Sequence, residues 1–435
     1  MRHSGWPVGL AGLLALAGCD RGPALSSTTE VDAELPNLGP LLESGPRLGA
    51  LLDRTPVHER PSKKSRELGY LHAGATVARS EKSLEASDCI DGWYAVWPRG
   101  YVCTEKSATT DLAHPTLAAM ALAPSFEKEL PYVYARTTKV TSLFNRSSDQ
   151  GVELGGRLAK STVLAIVGSW TAADESREPQ LLGLRMNGQF VRAEDLEAAS
   201  GSAFAGVELN EQVSLPLAFV VRRGVQRWSL EEPSPKKVGE VAYHERVELS
   251  GRFRTVGEDR FYLTCDGSWV RHKEVTVLLP RHQLPDFAVD GQRWLDISVV
   301  TGSAIAYEGK KPVFATLVSV GRDRLGDPKT SASTALGTFG VIGKHVTRRA
   351  NAGSDEPLLD APWAMELESG QWLQASPRHD RFGIEHTDGD IEISPADGAR
   401  LWKWLGPELP GGWHGLAVDE AALAGAPRPL VIVRK

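Results

Sequence analysis

Near the C-terminal end the chain reads HDRFGIEHTDGDIEISPADGARLWKWL, from His379 to Leu405. Asp388, Asp390 and Glu392 alternate there, with His386 two residues ahead. In an extended strand, alternate side chains share one face, so three carboxylates would converge beside an imidazole. That donor set suits a hard cation such as calcium. The bland alternative is a solvated acidic turn, because T-D-G-D is a strong turn signal. No loop spacing here matches a known cation-binding motif, so no metal and no cofactor is expected. The chain also lacks a phosphate-cradling Walker loop, a Rossmann glycine run and a zinc-type CxxC.

The elements that must position these residues belong to a long chain. Its 435 residues predict about three or four domains. At 41% apolar and 24% charged, it has ample material for buried cores. The formal net charge of -6 gives no electrostatic footprint for nucleic acid or for anionic lipid.

The first residues, MRHSGWPVGLAGLLALAGCD, pair a basic start (Arg2, His3) with an apolar run from Val8 to Ala17. That is a secretory leader (residues 1–18), too short for a spanning helix. The run LAGC, Leu16 to Cys19, resembles a bacterial lipobox. The resemblance implies cleavage before Cys19 and its acylation, tethering the mature chain to a membrane. An ordinary leader with an incidental cysteine is the alternative. Residues 19–50 are rich in Ser, Thr, Pro, Gly and Glu and are expected to form a flexible tether.

Export places the remaining cysteines in an oxidising compartment. Cys89 and Cys103 flank GWYAVWPRGYV, and a disulfide across that hairpin is expected to contribute ~3 kcal/mol. Cys265 is left over, expected as a buried free thiol rather than a reactive one.

From residue 51 to 112, short β-rich runs alternate with Pro, Gly and Ser turns, as in a small barrel. VHERPSKKSRELGYLHAGATVARS followed by GWYAVWPRGYVCTEKSAT resembles the bacterial SH3 domain. Such domains often bind cell-wall peptides or polysaccharide, and a plain spacer role is equally open. Trp93 and Tyr101 are expected in the barrel core. Related patterns at 131–200 and 216–280 predict two divergent copies at a spacing of about 80 to 90 residues.

The region 290–435 resembles the L,D-transpeptidase catalytic domain of the YkuD type. RWLDIS and AYEGKKPVFATLVSVG correspond to its opening hairpins, and TALGTFGVIGKHV to the segment bordering its substrate cleft. APWAMEL corresponds to the strand before the catalytic loop, and HDRFG and SPADGARLWKWL to the flanks of the nucleophile. The resemblance implies a cysteine thiolate that attacks a peptidoglycan stem tetrapeptide, expels D-alanine and passes the acyl group to another stem's amine. It further implies a histidine–glycine pair upstream, then Ser/Thr-His-Gly-Cys, then a strand with Asn or Arg.

This chain departs from that pattern where the chemistry lies. Gln374 and Ala375 stand at the His–Gly pair. Thr387 keeps the Ser/Thr position, Asp388 stands at the His, Gly389 is retained, Asp390 stands at the Cys, and Glu392 at the Asn/Arg. An aspartate is a poor nucleophile for acyl exchange. His379 lies in HDRFG and is expected to have a structural or cleft role. Acidic groups in a former thiolate pocket would repel a peptide's carboxylates and favour a cationic partner. A closing helix is expected after Pro395, packed by Trp402 and Trp404, with Asp397 in its first turn. His414 is expected as a packing or capping residue, and RPLVIVRK as a last strand.

The expected fold is mainly β: small SH3-like barrels followed by a YkuD-type β-sandwich with few helices. The expected function is that of a lipid-anchored bacterial envelope protein facing the periplasm. Its partner would be peptidoglycan stem peptides or another envelope protein, and not nucleic acid. Three functional readings follow. One is a cell-wall binding pseudoenzyme, one an active transpeptidase with rewired residues, and one a metal- or partner-binding acidic loop.

Overall fold

The computed structural model describes residues 38, 41–146, 151–174, 177–231, 234–323, 325–350 and 357–435. The leader and Cys19 lie outside the described residues. The chain is mainly β, and residues from Leu38 to Lys435 form one compact unit.

Three modules in the first two thirds repeat one pairing scheme. In each, a first strand (Arg47–Ala50, Val133–Thr137 or Leu217–Val220) lies between a middle strand and a last one. The turn before the middle strand recurs as well. Gly74, Ser161 and His244 all sit at positive φ (88°, 66° and 67°). Their N–H groups donate to Ala50, Thr137 and Val220, in each case the last residue of the first strand. Only Gly74 takes that left-handed backbone without a Cβ penalty; Ser161 and His244 hold it against the local preference. In the first module Cys89 and Cys103 form a disulfide with a Cα–Cα distance of 5.9 Å, and Trp93 is fully buried. Tyr101 packs beside them, partly buried.

Two expectations are corrected here. The tether does not extend to residue 50: Arg47–Ala50 is the central strand of the first module, with Leu48 and Ala50 fully buried. Its apolar residues are short and set among Gly and Pro, which masks the strand in the sequence. Cys265 is exposed rather than buried. It sits in a tight hairpin turn in which Thr264 N–H donates to Ser268 and the Asp266 carboxylate caps Ser268, and turn tips face solvent.

The C-terminal region forms a ring of strands. These are β1 (Arg293–Ser298), β2 (Ser303–Glu308), β3 (Lys311–Gly321), β4 (Gly337–Arg349), β5 (Asp360–Leu367) and β6 (Trp372–Ala375). They are joined by β7 (Glu385–Thr387), β8 (Ile391–Ile393), β9 (Gly415–Ala417) and β10 (Leu430–Arg434). The hydrogen-bonded order runs β5-β6-β8-β3-β2-β1-β10-β4, and β4 pairs back onto β5. Apolar residues such as Leu373, Ile391 and Ile393 fill the interior. Helix α1 (Pro395–Trp404) begins at the Ser394 cap, whose hydroxyl accepts from Asp397 N–H, with Pro395 in its first turn. Trp402 is buried against Trp363 at 5.0 Å, and Trp404 is half-buried with its indole N–H on Glu308.

The modules are fused to this ring. In the first, Gly69 pairs with Leu416 and Tyr70 with Gly415. A Cβ on Gly69 would lie 2.1 Å from the Gly415 carbonyl oxygen, and one on Gly415 would lie 2.0 Å from the Tyr70 ring, so only glycines permit the join. Trp413 enters the first module's core beside Leu48, Val57 and Leu68, and its indole N–H donates to Trp97 O at 3.0 Å. His414 is buried against His72, their rings 4.6 Å apart. In the second, Val163 N–H donates to Pro357 O, and Ala165 N–H to the Asp360 carboxylate. In the third, Phe219 packs against Phe204, whose ring in turn stacks on Phe382. The linker between the second and third pairs onto β3 through Val207 and Glu208. Gly206 N–H donates to both oxygens of Asp397, at 2.9 and 3.0 Å.

Trp413→Ala should remove the plug shared by module and ring and cost about 3–5 kcal/mol in urea denaturation. A loss under about 1 kcal/mol would show that the first module closes its core alone. Burial raises the Asp397 carboxyl to about 6, against the donors from Thr316 and Gly206. With the folded value above the unfolded one, its contribution is complete below pH 3.8 and is lost as pH rises through about 6. Asp397→Asn, which cannot ionise, should therefore gain roughly 3 kcal/mol on the parent between pH 4 and pH 7. Parallel stability curves for the two proteins would contradict this.

Candidate functional site

Alternation along β6 and β8 builds the site. Leu373, Ala375, Ile391 and Ile393 point into the ring. Gln374 and Glu392 are register partners in the parallel β6–β8 pair, and both face a cavity of about 220 Å³. Between β7 and β8 the chain turns at Gly389, with φ 117°. That turn brings Thr387, Asp388 and Asp390 to the same cavity. Thr334 fixes the turn by donating to Gly389 O at 2.9 Å, and Gly389 N–H donates to Thr387 Oγ1 at 3.3 Å.

Asp388, Asp390 and Glu392 therefore meet at one cavity, and each has a cationic partner. Asp388 pairs with Arg322. Asp390 accepts from Arg348 and, at 3.1 Å, from Trp372 N–H. Glu392 accepts from Arg378 Nε at 3.1 Å and from Arg378 Nη2 at 2.9 Å, and lies 2.7 Å from His379 Nε2. Arg348 also donates to Gln374 Oε1 at 2.6 Å and lies over the Trp372 ring, 4.6 Å from its centroid.

This corrects the expectation of an acidic pocket that repels anions. The guanidinium groups of Arg322, Arg348 and Arg378 neutralise the carboxylates in place. Each carboxylate of the acidic turn is thus engaged by an arginine. Among the described residues no group of three or more His, Cys, Asp or Glu side chains is arranged to hold a metal ion.

The electrostatics follow from burial and pairing. Burial would raise the Glu392 carboxyl, but Arg378 and His379 outweigh it and hold Glu392 well below the usual carboxylate range. Burial raises Asp390 despite Arg348. Burial, with His379 and Arg378 close by, lowers the half-buried His386 to about 4, so it is neutral at pH 7. His379 accepts from Arg381 N–H through Nδ1 while its other nitrogen faces Glu392, so both of its nitrogens are used in holding the loop.

Gln374, Thr387, Asp388, Gly389 and Asp390 are thus brought together with Glu392, while Cys89, Cys103 and Cys265 lie in the first and third modules. The residues that sequence reading missed are Arg348, Trp372, Arg378 and Arg322. Arg348 offered one signal: it is an arginine within the strand TFGVIGKHVTRR, where alternation puts apolar side chains inward.

No protein-family model matches the chain, and no curated protein matches it. Solved structures do. One is an L,D-transpeptidase (residues 123-326) from Xylanimonas cellulosilytica, 16% identical over 35% of this chain and 64% of that one, with TM-score 0.24. Another is an L,D-transpeptidase from Stackebrandtia nassauensis, 14% identical over 33% of this chain and 56% of that one, TM-score 0.24. A third is an L,D-transpeptidase from Mycobacterium smegmatis, 15% identical over 43% of this chain and 78% of that one, TM-score 0.24. The chain spans less than two thirds of the length of the first two.

Glu392→Gln should neutralise the buried carboxylate that Arg378 and His379 hold and cost about 3–5 kcal/mol in chemical denaturation at pH 7. Because the folded Glu392 carboxyl is depressed, this difference should hold above pH 4.5 and shrink as pH falls below it. A difference independent of pH would show that the ion pairs are not its source.

Proposed function

We propose that this chain is an exported, lipid-anchored envelope protein that binds peptidoglycan through an L,D-transpeptidase-like domain without turning it over. The observation that carries the reading is the state of Asp390, the residue at the nucleophile position of the resemblance. Its carboxylate accepts from Arg348 on one oxygen and from the Trp372 N–H on the other. A carboxylate so held is a weak nucleophile for an amide-derived acyl group. At the two positions that the resemblance gives to histidine, Asp388 is paired with Arg322 and Gln374 accepts from Arg348, so neither supplies a general base. The first module, read as a bacterial SH3 domain, adds a second surface for the same polymer. In this reading Cys19 carries the lipid, and the protein faces the periplasm.

The test is incubation of purified stem tetrapeptides with the chain from Asp20 onward, followed by mass spectrometry, with a working L,D-transpeptidase as positive control. Neither cross-linked product nor D-alanine release is expected, whereas the same preparation should co-sediment with purified sacculi. D-alanine released above the blank would sink the pseudoenzyme reading. Failure to sediment with sacculi would remove the binding role.

A further inference from the structure

Methionine is scarce in this sequence, four residues in 435, yet Met120 and Met186 line one cavity. The cavity encloses about 300 Å³ where the first module meets the ring, and His72 and His414 line it as well. Both histidines are buried, 8% and 5% exposed, with their rings 4.6 Å apart. Met120 packs on Gly74, two residues beyond His72: a Cβ on Gly74 would lie 2.8 Å from Met120 Cβ. Met186 meets His72 at Thr347, whose Oγ1 lies 3.5 Å from the Met186 sulfur and 3.3 Å from His72 Nε2.

Each imidazole is held with its Nε2 lone pair in reserve. His72 Nδ1 faces Asp53 O, which can only accept, so the proton of the neutral ring sits on Nδ1. His414 Nδ1 lies 3.2 Å from Gly412 O, and the same reasoning places its proton there. The His72 N–H approaches that nitrogen too, at a longer 3.4 Å. His414 Nε2 is then left with a lone pair that no hydrogen bond reaches among the described residues. On His72, the Nε2 lone pair and the Met186 sulfur compete for the single Thr347 hydroxyl proton. Burial lowers both histidines below the ordinary value, so both keep these lone pairs at pH 7. A ring whose Nδ1 proton is anchored on a backbone carbonyl, with Nε2 left open, is oriented as metal-binding imidazoles are.

We propose that His72, His414, Met120 and Met186 bind a single copper(I) ion. Thioether and imidazole ligands suit this soft cation. The charge of the lining points the same way. No acidic residue lines the cavity, and four neutral donors compensate one buried positive charge more easily than two. Thioethers also distinguish this cavity from the acidic turn at Gly389, whose oxygen donors are engaged by arginines. Methionine has three rotatable bonds, so both sulfurs can close on an ion with little backbone movement. Ala121 and Leu122 are exposed at the rim and give the ion a path in. The proposal is independent of peptidoglycan binding and stands whether or not the chain sediments with sacculi.

Silver(I), a soft monovalent ion that needs no reductant, is the probe, added as the nitrate in chloride-free buffer. The protein is the chain from Asp20 onward carrying Cys265→Ser, which removes the exposed free thiol. Native mass spectrometry and isothermal titration calorimetry should show one silver ion per chain. Zinc, a divalent ion, should bind at least about tenfold more weakly. Met120→Leu with Met186→Leu conserves volume and should keep the fold, checked by thermal unfolding without silver. It should weaken silver by more than about a hundredfold, beyond the loss of about 10–100-fold expected when only a ligand's support is changed. Met365→Leu, at the remaining methionine of this chain and away from the cavity, should leave silver binding unchanged. Absence of one-to-one silver binding, unchanged binding by the double variant, equal loss in Met365→Leu, or zinc bound as tightly as silver would each overturn the proposal.

Discussion

The pairing of Gly69 and Tyr70 with Gly415 and Leu416 is the constraint on which the rest of this architecture leans. It is short, and it is possible only because neither glycine carries a side chain. Its consequences run into the ring. Once Tyr70 is placed there, its hydroxyl donates to Thr347 O and meets His345 Nδ1, both on β4. The next residue along β4 is Arg348, the cation on which Asp390 and Gln374 converge. The stack Arg54, Tyr70, His345, Trp372 and Arg348 therefore passes without a gap from the first module to the candidate site. The first module is bound to the ring by hydrogen bonds, rings and a shared tryptophan.

Within the site, geometry decides between competing electrostatic outcomes. Three carboxylates on one cavity would be costly to ionise together in a low-dielectric setting. The chain resolves this by giving each one its own arginine, drawn from a different element. Arg322 follows β3, Arg348 belongs to β4, and Arg378 follows β6. The environments still differ. Glu392 is fully buried and held ionised by two partners, whereas Asp390 is half-buried and its carboxyl is raised. Losing Arg348 would leave the Asp390 carboxylate with only the Trp372 N–H, whereas the exposed Asp388–Arg322 pair has water to replace its partner.

The strands were legible because they carry strong alternation or dense β-branched runs. The hairpins from Arg293 to Gly321, the strand Leu430–Arg434 and the helix opening at Ser394-Pro395 are all readable from residue types and turn chemistry. The convergence of Gln374 with Asp388 and Asp390 was legible through the family resemblance. The arginines were not, because a lone arginine in a strand does not announce a partner 26 or 42 positions away. Nor was the docking of the modules, which rests on long-range contacts and on the fit at two glycines. Arg47–Ala50 was lost for a different reason: four residues give too little periodicity to stand out from a spacer. Cys265 was misjudged because burial statistics for free cysteine say nothing of a turn tip.

The closed ring also has a kinetic meaning. The strand Leu430–Arg434 lies between β1 and β4, so the ring cannot close until those last strand residues have been made. The first module waits just as long, since the tryptophan that completes its core lies 316 positions after the carbonyl it caps. Contacts so distant in sequence demand a large loop-closure entropy before any reward, and chains built this way fold slowly. The ring of a growing chain therefore stays open until its last strand is made. Delay of that sort is an advantage to a polypeptide that must cross a membrane as an unfolded thread, and a hazard to one that stays behind.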